Sequence, residues 1–308
     1  MNGSKLDTLD GKEVVTWIPG EPLESPDETI PRIEVSWDDE AVKWQATFAA
    51  FLDEPGLDAI TGLVLGPWVF PGEEEDSSFV VEALVASRER FPNLKSLFIG
   101  DIISEENEVS WIRNSDVSPL LGAFPSLEYF RVRGGEGLVL GSPHHENLKT
   151  LIVEAGGLDA RILTGLSHAF LPELTHLELW LGTENYGATS TAEDCVPLLS
   201  AELFPKLRYL GLRDSEIQDD IAIVVAKSPF LCQLETLDLS MGTLSDFGAE
   251  VLLESLFIPK LKKLDLHHHY CSNEMMALLR RLPCEVDLGE QQKIDPRWRN
   301  HRFVAVSE

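Results

Sequence analysis

An α/β solenoid of leucine-rich repeats is the fold class this sequence predicts, and three observations predict it. An apolar residue, two variable residues, a second apolar residue, one variable residue and a third apolar residue recur seven times between residues 91 and 267. The copies read NLKSLFI, SLEYFRV, NLKTLIV, ELTHLEL, KLRYLGL, QLETLDL and KLKKLDL. Their first leucines (Leu94, Leu127, Leu148, Leu174, Leu207, Leu234 and Leu261) stand 33, 21, 26, 33, 27 and 27 residues apart, inside or near the period of such repeats. Proline directly precedes five of the seven copies, and helical patterns fill the intervals between them.

Each element follows from local pattern. Residues 1 to 37 carry two strand-like runs, KEVVTWI and RIEVSW, around the proline-rich EPLESPDETIP. They predict an N-terminal cap, with a hairpin as one arrangement. An amphipathic helix follows at about 39 to 53, and Ile60, Leu63 and Leu65 then mark a degenerate first strand. In the repeat from Leu234 to Leu261, Leu237 and Leu239 share one face because a strand has a period of two, which leaves Thr236, Asp238 and Ser240 on the other. Phe247, Val251, Leu252, Ser255 and Leu256 then keep helical spacing. Ser245 or Asp246 can cap that helix, and Pro259 stops it.

The same signals predict helices at 78–90, 116–123, 158–169, 191–202, 217–227 and 273–281, and Val286 and Leu288 close the array. Together they predict a right-handed solenoid of eight or nine turns, with a parallel concave sheet and convex helices. Helix-containing repeats of this length belong to the ribonuclease-inhibitor-like subclass. The expected division is a cap at 1–56, the repeat array at 57–289 and a basic C-terminal tail at 290–308.

Composition narrows the function. Fifty-two acidic against 25 basic side chains leave a net charge of −27, a field that repels phosphate backbones and argues against nucleic acid as a partner. Such a surface serves solubility, or it attracts a basic partner. The longest apolar runs, such as residues 221 to 226, fall far short of the ~20 needed to cross a membrane. MNGSKLDTLDGKEVV lacks the layout of a secretion signal. Cys195, Cys232, Cys271 and Cys284 form no CxxC pair, which suits reduced, structural thiols. The expected location is cytoplasmic.

The strand register also identifies the concave side chains: Tyr129, Arg131 and Arg133; Thr150, Ile152 and Glu154; His176, Glu178 and Trp180; Tyr209, Gly211 and Arg213. Tyr, Trp and Arg anchor interfaces, so Tyr129, Arg131, Arg133, Glu154, His176, Glu178, Trp180, Tyr209 and Arg213 form the expected partner-binding set. The competing reading has Arg and Glu on adjacent strands simply pairing with each other. Asp238, Asp265 and His267 continue the wall as a more acidic strip.

Chemistry finds weaker footholds. On an extended backbone His267 and His269 of the triple histidine share one side, and Asp238 and Asp265 can complete a metal site. A zinc site needs three or four ligands, and a structural role for these residues is the stronger expectation. His269 also stands where such repeats place an asparagine that satisfies loop amides. The segment GDIISEENEVSWIRNSD gathers Asp101, Glu105, Glu106, Glu108 and Asp116 without EF-hand spacing, which predicts a solvated acidic loop anchored by Trp111. GxSxG, phosphate-loop and HExxH motifs are missing, and RGGEG is turn chemistry. No cofactor and no catalytic constellation are expected.

Beyond the repeat consensus, GDIISEENEVSWI, FRVRGGEGLVL, LELWLGTENYGA, LGLRDSEIQDDIA, LDLHHHY and the ending FVAVSE resemble, in order, a bacterial leucine-rich repeat family of unknown function. The resemblance runs from about Trp37 to Glu308. It implies relatives encoded beside radical-SAM, ATP-grasp and sulfatase-like hydrolase genes, hence a partner or scaffold in a modification pathway, and it supplies no site residues.

The predicted function is therefore a non-enzymatic module that binds a protein or peptide. One alternative makes the chain a substrate modified on its C-terminal tail, and a second makes it a metal-dependent enzyme. From Lys293 to Val304 four basic residues face one acid, a local +3 against −30 elsewhere. Such a segment either caps the last repeat through Trp298 and Phe303 or is displayed to a partner.

Overall fold

The computed structural model describes residues 5–35, 43–69, 75–295, 297 and 301–307. Among these described residues, twelve strands form one sheet in strict chain order. They are β1 (Thr8–Leu9), β2 (Lys12–Thr16), β3 (Thr29–Ile33), β4 (Gly62–Leu65), β5 (Ser96–Ile99), β6 (Tyr129–Arg133), β7 (Thr150–Glu154), β8 (His176–Gly182), β9 (Tyr209–Ser215), β10 (Thr236–Asp238), β11 (Lys263–Asp265) and β12 (Glu285–Asp287). Every pairing from β2 to β12 is parallel. The chain is a leucine-rich repeat solenoid with helices flanking the sheet.

The helices return the chain between strands: α1 (Trp44–Leu52), α2 (Ser78–Ala86), α3 (Ser118–Ala123), α4 (Ala160–Leu166), α5 (Ala192–Cys195), α6 (Gln218–Ala226), α7 (Asp246–Glu254) and α8 (Asn273–Leu279). Predicted longer helices end early because their last turns tighten into 3-10 geometry, as at Arg88–Arg90 and Val196–Leu198. Ser245 caps α7 by accepting from the Phe247 amide.

The leucine register holds throughout. All seven first leucines of the repeats are buried, as are Leu237, Leu239, Leu264 and Leu266. They belong to one continuous apolar core running from Trp17 to Leu279. Such a core grows by adding neighbours, so each strand needs only the next one to bury its inward face.

The N-terminal expectation needs correcting. The two predicted runs form no hairpin: β2 and β3 pair in parallel, with Val14 opposite Ile30, and the antiparallel pair is β1 with β2. The twelve-residue gap between β2 and β3 carries the Pro and Gly turns that a same-direction return requires, whereas β1 and β2 are joined by a two-residue Asp10-Gly11 turn. This first turn also covers part of the wall. Leu9, Val14, Ile30, Val64 and Phe98 form a separate apolar cluster on the face away from the main core, with Leu6 and Tyr129 packed against it. The concave surface is consequently closed at its N-terminal end.

The 101–116 loop also differs from expectation. Asp101 is buried and accepts from Arg32 Nε at 2.8 Å and from the Leu6 amide, while Glu106 pairs with Lys5 at 2.7 Å. Trp111 is 58% exposed, and Val109 and Ile112 are the buried anchors. An acidic residue beside a basic one that sits 69 positions away in sequence escapes any local pattern.

Candidate functional site: a charged concave wall and its covered rim

Parallel in-register pairing stacks the predicted wall residues in rows. Tyr129 faces Thr150 and then His176 and Tyr209; Arg131 faces Ile152, then Glu178 and Gly211; Arg133 faces Glu154; Trp180 faces Arg213. All nine predicted binding residues therefore lie on one wall. Their exposure divides them: Arg133, Glu154, Glu178 and Trp180 are buried, whereas Tyr129, Arg131, His176, Tyr209 and Arg213 are partly exposed.

Two carboxylates organise the wall. Glu154 bridges Arg131 at 2.5 Å and Arg133 at 2.6 Å, and Arg133 Nη1 also donates to the Ile102 carbonyl at 2.7 Å. Arg131 in turn lies over the Phe98 ring, 4.3 Å from its centroid. Glu178 accepts from Trp180 Nε1 and Arg213 Nη1, each at 2.7 Å, and from the Tyr209 hydroxyl at 3.2 Å. His176 Nε2 lies 3.5 Å from the same carboxylate, and the His176 and Tyr209 rings stack 3.9 Å apart. Tyr209 and Arg213 also reach Asp238, at 2.7 and 3.3 Å.

Electrostatics follow from this packing. Burial alone pushes the Glu178 carboxyl upward, but His176, Arg213 and Trp180 outweigh it and hold the group at about 2. Burial raises the Tyr209 phenol, and the neighbouring Glu178 and Asp238 charges raise it further. The cross-strand Arg–Glu pairing that the sequence offered as the competing reading is thus a largely buried network in which each charge depends on its partners. Arg131 Nε is buried without a hydrogen-bond partner among the described residues.

The metal expectation fails for two of its four residues. His268 has φ of +56°, so the backbone at the triple histidine is not extended, and His267 and His269 part company. His269 is fully buried; its Nδ1 accepts from the Cys271 amide at 3.1 Å, and its Nε2 faces the Leu288 carbonyl. It satisfies loop backbone, as the asparagine position of a repeat does. Asp238 is committed to Tyr209, Arg213 and the Ser240 amide. His267 and Asp265 do meet, at 2.7 Å, and with Asp287 they offer ligand atoms within 4.8 Å of one another. The Asp265 hydrogen bond raises the His267 imidazole.

Sequence reasoning missed the rim beyond the C-terminal ends of β8 to β10. Residues 302–307 run back along the solenoid and lie on it. Arg302 Nη1 donates to Asp219 Oδ2 at 2.8 Å and to the Thr243 carbonyl at 2.6 Å. Phe303 and Tyr270 exchange two bonds, amide to hydroxyl at 2.8 Å and hydroxyl to carbonyl at 3.0 Å. The Ala305 amide donates to the Met241 carbonyl at 2.7 Å, and the Val306 amide to Asp214 Oδ1 at 2.9 Å. Ser110 Oγ donates to the Ser307 carbonyl at 2.5 Å.

Val306 joins Val109, Trp180 and Met241 in an apolar cluster, and this is why Trp180 is buried rather than presented. Residues 302–307 do not stand free: they lie on Asp214, Asp219, Met241 and Tyr270. Phe303 remains 47% exposed, and Trp298 lies outside the described residues. The one sequence clue was the +3 stretch on an acidic body.

No protein-family model matches the chain, and no curated protein matches it. Among solved structures, it is similar to a Bacteroides fragilis protein determined as a Northeast Structural Genomics Consortium target. The identity is 32% and the TM-score 0.81, over 90% of this chain and 77% of that one. An internalin from Listeria monocytogenes aligns at 15% identity with a TM-score of 0.35, over 79% of this chain and 71% of its own.

Proposed function

The chain belongs to the family of that Bacteroides fragilis protein, and from that membership and the wall we propose a non-enzymatic module that binds a protein or peptide. Leucine-rich repeat solenoids generally serve protein binding through such walls. The observation that carries the reading is the strip Tyr129, Arg131, Ile152, His176 and Tyr209. It is partly exposed, rigidly held by the Glu154 and Glu178 networks, and lies between a wall closed at one end by Leu9 and Val14 and a rim closed by Val306. Aromatic and arginine side chains fixed in advance lose little conformational freedom on binding. A scaffold or partner role in a bacterial modification pathway, in the cytoplasm, is consistent with this and with the gene context the sequence resemblance implies.

The test begins with co-purification from the native organism, followed by binding of the purified partner. Arg131→Ala and Ile152→Asp should each weaken binding at least tenfold, while Glu250→Ala on the exposed face of α7 leaves it unchanged. Equal binding by all three variants would remove the strip from the interface.

A further inference from the structure

The docked segment is placed oddly for a structural cap. It leaves the last repeat, travels against the direction in which the repeats are laid down, and ends beside Ser110, 197 positions earlier in sequence. It crosses the ends of the strands instead of adding one to the sheet. A cap would cover the exposed apolar edge of β12, and Val286 and Leu288 there are only partly buried.

Its receiver holds a buried carboxyl that the segment itself engages. Asp214 is fully buried and leaves Oδ2 without a hydrogen-bond partner among the described residues, while its φ of +52° is the turn conformation that Met241 and His268 repeat in the next two units. Burial pushes this carboxyl up to about 8 against the pull of the Val306 amide. Asp219 already holds the amides of Ser245, which caps α7, and of Gly248 within it, and its second oxygen takes Arg302. The floor between these two acids is apolar, formed by Trp180 and Met241. Packing is incomplete beside the segment, where a cavity of about 270 Å³ lies between Arg302, Val304 and Ser307 on one side and Asn185, Tyr186 and Glu216 on the other.

We infer that this rim channel is a peptide-binding site, occupied in the resting chain by its own residues 302–307. The ligand it fits is a short peptide, bent at its middle as Ala305 is, with arginine at one position and aliphatic residues two and four places further on. Arginine enters between Asp219 and the Thr243 carbonyl, the second aliphatic side chain covers Trp180 and Met241, and two peptide amides bond to Met241 and Asp214. Val304 and Val306 are both buried, on either side of a bend at Ala305, with Val304 lining the cavity and Val306 on Trp180 and Met241. The positive charge complements the acidic body. The inference deepens the reading of the chain as a binding module but does not depend on the Tyr129–Arg131 strip, which the wall variants test separately.

A tethered occupant acts at an effective concentration on the order of mM, so a free peptide must compete with it. The test uses a fluorescent peptide spanning residues 301–308, titrated into the unaltered protein and into full-length Val306→Asp, followed by anisotropy. The peptide should bind the variant at least tenfold more tightly, because the internal competitor is weakened. An Arg302→Ala peptide should lose at least tenfold in affinity for the variant. In parallel, hydrogen exchange on the unaltered protein should show the Ala305 and Val306 amides exchanging at least tenfold faster than those of Leu210 and Leu212 in β9.

Absence of peptide binding, or equal binding by both proteins, overturns the inference. So does exchange of the 305–306 amides in step with β9, which would make the segment a permanent part of the fold. Should Val306→Asp fail to fold, full-length Arg302→Ala replaces it in the titration, and the exchange experiment decides independently.

Discussion

Replacing Glu178 by Gln isolates the charge at the centre of the wall, because shape and one acceptor oxygen survive. In the folded chain this carboxylate faces Arg213 and Trp180 at 2.7 Å and Tyr209 at 3.2 Å, all largely shielded from water. Removing the charge leaves Arg213 with Asp238 at 3.3 Å, which offsets part of the loss. The depression from 4.5 to about 2 corresponds to about 3 kcal/mol at ~1.36 kcal/mol per pH unit. With Asp238 still in place, a loss of roughly 2–3 kcal/mol at pH 7 is expected.

The pH dependence has a definite sign. A carboxyl whose folded value lies below its unfolded value contributes stability above the unfolded value and loses it as pH falls through the folded one. The gap between wild type and Glu178→Gln should therefore be full at pH 6 to 7, shrink to roughly 1 kcal/mol near pH 3, and close near pH 2. Urea unfolding followed by tryptophan fluorescence measures the gap at each pH. A repeat array can unfold in stages, so the comparison uses the transition that reports the β8–β10 region in hydrogen exchange. A gap below about 0.5 kcal/mol at pH 7, or one that does not change with pH, would refute the argument that the buried network holds Glu178 ionised.

The same contacts set five further outcomes. Leu239→Ala should cost ~2–5 kcal/mol through transfer and cavity terms, and Asp238→Ala, exposed on sequence grounds but buried against Tyr209 and Arg213, should cost about 1–3 kcal/mol, both read by urea unfolding. His269→Ala should destabilise by about 1–3 kcal/mol, since it strands the Cys271 amide; the His267–Asp265 pair should instead stabilise below the ordinary imidazole value of 6.5 and fade as pH rises through the elevated value of His267, seen by NMR titration. Cys232 should react with a thiol reagent at once in the native protein, while Cys195 and Cys271, buried with thiols pushed up to about 12, stay silent until denaturant is added.

How much of the wall could be read in advance depends on the range of the interaction. Alternation along a strand placed Tyr129, Arg131, His176 and Tyr209 on one face, because the period of two is a property of the backbone itself. Whether Arg133 and Glu154 are solvated or sealed depends on what lies above them, and Trp180 is covered by Val306 from 126 positions further on. No periodicity connects such residues. His267 and His269 separated for a smaller reason, a single residue with positive φ between them.

The sequence by itself determined the repeat register, the order of the strands and the identity of the buried leucines. Each repeat contacts only its neighbours, so a pattern legible within about 30 residues carries the architecture. The tertiary structure alone decided what covers the wall: the β1–β2 turn over Phe98, Arg32 on Asp101, and residues 302–307 over Trp180 and Asp214. Those contacts join distant chain segments through hydrogen bonds, ion pairs and small apolar clusters. Their energy is set by desolvation and geometry at the meeting point, which no local spacing encodes.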